Sequence, residues 1–175
     1  MPIHGVSAEH IAPQGGGTAF EPQRTANFVL QLVKEGFFGD NIVELTIHQV
    51  PFPVPTTEVL KVPYGNEERK VPGRTTFADL DIVVTDYVDK DIVGEFERWR
   101  RDVYDPLSGK VGLAKDIKGV GYIKLLEPDG STCRQWKLIG VWPSKFDPGQ
   151  VSMERPDIHR CTLTLTVDRV VYNQK

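Results

Sequence analysis

Along this chain of 175 residues, apolar side chains recur mainly at every second position. Phe28, Leu30 and Leu32 alternate with Val29, Gln31 and Val33, and Val43, Leu45 and Ile47 alternate with Glu44 and Thr46. Successive strand side chains point to opposite faces, so both stretches predict strands with one face inward. Leu80, Ile82 and Val84 share a face whose reverse carries Asp79, Asp81 and Thr85, the pattern of a half-buried antiparallel sheet. Residues 122 to 126 and 134 to 142 predict two further strands around a turn at Pro128-Asp129-Gly130, with a loop over residues 143 to 149. The cleanest alternation comes last, where Cys161, Leu163, Leu165 and Val167 interleave with Thr162, Thr164, Thr166 and Asp168.

Proline and glycine punctuate this pattern. Val50-Pro51-Phe52-Pro53-Val54-Pro55 cannot pair as a central strand, because each proline lacks an amide donor, and it predicts a loop or an edge. Residues 57 to 62 and 68 to 71 flank Pro63-Tyr64-Gly65-Asn66-Glu67, which supplies turn geometry and predicts a hairpin. The period changes once. Ile92, Phe96, Trp99 and Val103 fall at spacings of four, three and four, the apolar stripe of a helix that Asp89 or Asp91 can cap and that Pro106 and Gly109 end. Ile92, Phe96 and Trp99, with Trp142, Leu163 and Leu165, are the expected core.

Seven or eight strands and one helix predict a mainly β, α+β fold: an antiparallel β-sandwich or small barrel with a helix on its flank. The length suits one domain, read as residues 25 to 175, after an extended arm over residues 1 to 24 that holds Gly15-Gly16-Gly17 and no periodicity. With 39% hydrophobic and 26% charged residues, the composition is that of a folded, loop-rich chain. No apolar run reaches membrane-spanning length and the start lacks the regions of a secretory signal, so the expected site of synthesis is the cytoplasm, with no membrane partner. A net charge of −3 without a basic block argues against a surface that grips nucleic acid.

Candidate chemistry is sparse. His4, His10, His48 and His159 are scattered, without the short spacing of a metal-binding helix. Asp79, Asp81, Asp86, Asp89 and Asp91 lack the glycine turn and terminal glutamate of a calcium loop, and read as a solvated strand face running into a helix N-terminus. Cys133 and Cys161 are too few for a zinc cage and read as small apolar side chains. Trp99, Trp136 and Trp142 read as buried rather than as stacking platforms. The expectation is a protein without catalytic residues, metal or cofactor.

Two segments carry a resemblance. Val71-Pro72-Gly73-Arg74-Thr75-Thr76-Phe77-Ala78-Asp79-Leu80, followed by a strand and a helix with Phe96-Glu97-Arg98-Trp99, resembles the middle of the tail tube proteins of contractile-tailed bacteriophages. Leu138-Ile139-Gly140-Val141-Trp142-Pro143-Ser144-Lys145, then a polar loop and a Thr/Leu strand, resembles their C-terminal third, and the likeness runs in order over about residues 26 to 172. The arm before Thr25 and the loop from 105 to 119 depart from it. The resemblance implies a structural virion protein whose copies form hexameric rings with a continuous inner β-barrel, stacked into a tube inside the sheath. It implies as partners the sheath protein, baseplate and tail terminator proteins, and the tape measure protein and genomic DNA in the lumen. Within it, Glu58, Lys61, Glu67, Glu68 and Lys70 on the hairpin are candidates for the lumen or for contact between rings, as are the arm and the 105 to 119 loop for ring contacts. Type VI secretion and R-type bacteriocin tubes share this fold and are the alternative. A monomeric β-sandwich that binds carbohydrate is the alternative from another class, and it predicts an exposed Trp136 or Trp142.

Overall fold

The structure is a computed structural model that describes residues 23, 25–34, 47–89, 91–153 and 157–174. The expected arm, and residues 43 to 46 of an expected strand, lie outside these apart from Gln23, whose side-chain amide donates to the Leu126 carbonyl at 2.9 Å. Among the described residues, nine strands and two helices follow in the order β1 (Phe28–Val33), β2 (Ile47–Gln49), β3 (Pro55–Tyr64), β4 (Glu67–Phe77), β5 (Leu80–Thr85), α1 (Ile92–Val103), α2 (Ala114–Ile117), β6 (Gly119–Leu126), β7 (Thr132–Asp147), β8 (Arg160–Thr166) and β9 (Arg169–Gln174). Every strand pairing is antiparallel. No described helix is long and apolar enough to cross a membrane.

The architecture turns on β7. Its first half pairs with β6 on one edge and β9 on the other, and its second half pairs with β8, which continues to β5 and β2. The register runs unbroken from Arg134↔Gln174 through Ile139↔Arg169 to Pro143↔Leu165, so β7 with β8 and β9 is one long hairpin. It bends where Gly140 adopts φ +72°, a conformation that side chains with a Cβ resist. The bend also switches faces. Leu138 and Gly140 point inward before it, Val141 and Pro143 after it. Two sheets, β1-β6-β7-β9 and β7-β8-β5-β2, are thereby carried by a single strand.

Between the sheets lies the core. Leu30, Ile123, Leu138, Leu80, Ile82, Leu163 and Leu165 are each at most 1% exposed, and each such burial stabilises the fold by about 1.5–3 kcal/mol. Helix α1 packs Ile92, Phe96 and Trp99 into the same cluster. Asp91 caps it, accepting from the Gly94 amide at 2.8 Å, so one of the orphan donors of the first turn is met by a cap that the sequence offered. The Trp99 indole N–H donates to the Ile117 carbonyl at 2.8 Å, tying α2 to α1.

Three expectations need correction. Trp142 is half-buried rather than in the core, because the face switch at Gly140 sends its neighbours Val141 and Pro143 inward and Trp142 to the other side. The loop from residue 143 is instead strand as far as Asp147. There β7 pairs on one edge only, the situation in which a strand tolerates proline. The region 105 to 119 contains a second, short helix and a Tyr104↔Val111 bridge. In the turn ahead of it, the Asp105 carboxyl is held below the usual carboxylate range by the Ser108 hydroxyl and the Leu107 amide.

Candidate assembly interface

β3 and β4 form a two-stranded sheet of their own. The turn is two residues, Gly65-Asn66, with Gly65 at φ +62°, shorter than the five-residue connection expected, and the prolines Pro63 and Pro72 sit inside strands. Both strands of an isolated hairpin are edges, so neither proline breaks a ladder that needs it. The Ala78 amide donates to the Val54 carbonyl at 3.2 Å and closes the base. Opposite Glu58 the register slips by one residue, a bulge that accommodates Gly73 and Arg74. Every residue of β3 is exposed, and in β4 only Val71, Gly73 and Phe77 are partly covered.

Register divides the hairpin into two faces. Lys61 lies opposite Lys70 and Pro63 opposite Glu68 on one face, and Leu60 lies opposite Val71, Val62 opposite Arg69 and Tyr64 opposite Glu67 on the other. The structure therefore brings Lys61, Glu68 and Lys70 together, with Lys61 and Glu68 3.4 Å apart, and places Glu58 and Glu67 on the reverse. That ion pair is solvent-exposed on both sides and contributes little stability. Two lysines directly opposed repel. The charged residues of the hairpin stand out in the sequence, whereas the stripe of Leu60, Val62 and Tyr64 is marked there only by its spacing of two.

Unpaired strand edges are the second feature. Among the described residues, β1 pairs only with β6, β9 only with β7, and the second half of β7 only with β8. Such edges present rows of free backbone donors and acceptors that a further strand can satisfy. A third feature is a cavity of about 700 Å³ at the mouth of the sandwich, between β1 and β6 on one side and the stretch from β2 to Phe52 on the other.

Other candidate residues are engaged in local contacts. Asp81 accepts from the Thr164 hydroxyl at 2.6 Å, and Asp86 lies 3.2 Å from His159 Nδ1. Trp136 is half-buried and packs against Phe52, at 4.7 Å between ring centroids, and Tyr172, at 5.2 Å, with both rings tilted by about 45° to the indole. Both cysteines are free thiols, and burial pushes the Cys161 thiol up.

Residues 24–171 match the family described as T4-like virus tail tube protein gp19. The chain belongs to this tail tube family. Solved structures share its fold at low sequence identity. The terminating cap of the anti-feeding prophage tube superposes with a TM-score of 0.71, at 15% identity over 92% of this chain and 97% of that one. The sheath/tube terminator of the extracellular contractile injection system PVC gives 0.68, at 15% identity over 87% and 97%. A chain of the PVC sheath-tube complex gives 0.66, at 16% identity over 97% and 99%. Among curated proteins no sequence matches.

Proposed function

We propose that the chain is a structural, non-catalytic subunit whose copies close into hexameric rings that stack as a tube within a contractile sheath, joined at its ends to baseplate and terminator proteins. One observation carries this reading: in a member of the tail tube family, a hairpin of 10- and 11-residue strands stands on the body with almost no cover from its own chain. A two-stranded hairpin is marginal alone in water, so an assembled neighbour is its natural support. Edge pairing between copies gives the inner barrel, and ring closure leaves no strand exposed to unregulated pairing. The lumen serves the tape measure protein and genomic DNA. The net charge of −3 supports passage without capture, since a basic lining would hold phosphate by counterion release.

The reading gives the hairpin charges Glu58, Lys61, Glu67, Glu68 and Lys70 a place at the lumen or between rings, and it gives residues 1 to 24 and the 105 to 119 region contacts between rings. Its site of action is the virion tail, after assembly in the host cytoplasm. A second reading, the tube of a DNA-free injection particle, is supported by the similar structures, which come from the anti-feeding prophage and the PVC injection system. A carbohydrate-binding monomer is disfavoured, because it calls for an exposed Trp136 or Trp142 and both are half-buried.

Negative-stain microscopy and sedimentation of the purified chain test the proposal. Rings with sixfold symmetry, or hollow tubes, are the expected outcome. A folded monomer at every concentration, including after addition of its baseplate initiator, overturns it.

A further inference from the structure

We propose that the outward face of the β1-β6-β7-β9 sheet is a docking surface for an acidic, amphipathic helix of another protein, held by a diagonal of three cations, Lys124, Lys137 and Arg169. A sheet face is a different surface from the hairpin and strand edges to which the proposed assembly is assigned, so it is open whether or not rings form. Three observations support it.

First, charge is segregated. The chain carries a net charge of −3, yet β1, β6, β9 and residues 132–139 of β7 contain no Asp or Glu. Leu30, Leu32, Ile123 and Leu138 point into the core and Val170 packs against it, so the residues that alternate with them face out. On that face Lys124 donates to the Gln31 side-chain carbonyl at 3.2 Å, and the Lys137 ammonium lies 5.8 Å from the Tyr122 ring centroid. Both cations are held on the face, and among the described residues no carboxylate neutralises either. Asp168, at the rim, is taken by Lys118. The outward face of the other sheet differs, with Asp81 and Asp147 beside Lys145.

Second, register sets the spacing. Lys124 lies opposite Gln135, Lys137 opposite Tyr122 on one side and Val171 on the other, and Arg169 opposite Ile139. Each step from cation to cation therefore crosses one strand, about 4.8 Å, and advances two residues, about 6.7 Å, which is about 8 Å on the diagonal. The three span about 16 Å, the length of about 11 helical residues or three turns. Third, an apolar corner adjoins the diagonal. Val33 pairs with Val120 and Val120 with Ile139, and Val33 is 52% exposed, while α1 turns its own apolar stripe into the core on the other side of the sheet. Cations beside aliphatic surface fit carboxylates along one side of a helix and aliphatic side chains along the next. Nucleic acid fits less well, because three phosphate contacts bind weakly and the valines would gain nothing. The same face of a second copy would set cations against cations.

The test uses the full-length chain and a fluorescein-labelled, helix-stapled peptide of about 14 residues, with glutamates along one side and leucines along the next. Fluorescence anisotropy is expected to show binding that weakens as salt rises from about 0.05 M to about 0.3 M, and that falls at least about tenfold when Lys124→Glu and Lys137→Glu are combined. Lys124→Gln with Lys137→Gln is expected to give a smaller loss, and it carries the test if the Glu pair lowers the thermal midpoint. Lys145→Glu, on the other sheet, is expected to change nothing. Binding that is unchanged in both paired variants, or equal for a peptide with lysines in place of the glutamates, overturns the docking surface. A single-stranded oligonucleotide that binds more tightly than the peptide at the same salt assigns the diagonal to phosphate and also overturns it, as does a Glu pair that fails to self-assemble where the wild type does, which assigns the face to a second copy. A wild-type chain that binds the peptide yet stays monomeric overturns the proposed function and leaves the docking surface standing.

Discussion

Trp99 joins three parts of the chain. Its ring is 1% exposed in the core, its N–H holds the Ile117 carbonyl at 2.8 Å, and the Lys34 ammonium lies 5.6 Å from the ring centroid. Trp99→Phe keeps most of the apolar contact and strips the donor, leaving a carbonyl in the interior without its partner. The expected cost is about 1–3 kcal/mol, read as a lower urea midpoint at unchanged slope. The place of Trp99 was readable, because four apolar residues at helical spacing fix one buried stripe. The place of Lys34 was not. A lysine closing a strand ordinarily reads as solvated, yet Lys34 is 8% exposed and bonds Asp102 at 3.2 Å, a partner 68 positions away that no local pattern can announce.

At the scale of elements, alternation located β1, β5 and β8 within a residue or two, because a strand with one buried face writes its period into the sequence. β7 was cut short for a physical reason. Its alternation changes phase at Gly140, and Pro143 follows, so a reader of periodicity sees an end where the chain only bends. Gly140→Ala tests that bend. A Cβ there is strained by the left-handed conformation that Gly140 already holds, and it meets the Asp168 carboxylate, which holds Lys118. We expect a loss of at least about 1–2 kcal/mol, measured as a drop in thermal midpoint. The hairpin's existence was also legible from its turn residues, but its isolation was not: Glu58, Leu60, Val62 and Tyr64 alternate like an ordinary half-buried strand, and the burying partner is absent from the chain's own fold.

For the whole molecule, the division between a self-sufficient body and a bare hairpin makes assembly separable from folding. The Val54 carbonyl and Ala78 amide are hydrogen-bonded, so residues 55 to 77 can be replaced by a two-glycine link without straining the base. The shortened chain is expected to unfold within about 1 kcal/mol of the wild type in urea, because the deleted segment contributes nothing to the core cluster. It is expected to sediment as a monomer under conditions in which the proposed function has the wild type form rings. The bent strand β7 has a different consequence, a mechanical one. Because both sheets are stitched to the same length of backbone, a shear applied to one sheet reaches the other along covalent bonds and a ladder of amides, and side-chain packing between the layers is spared from transmitting it. A conduit made of such subunits can be pushed from one end and move as a rod.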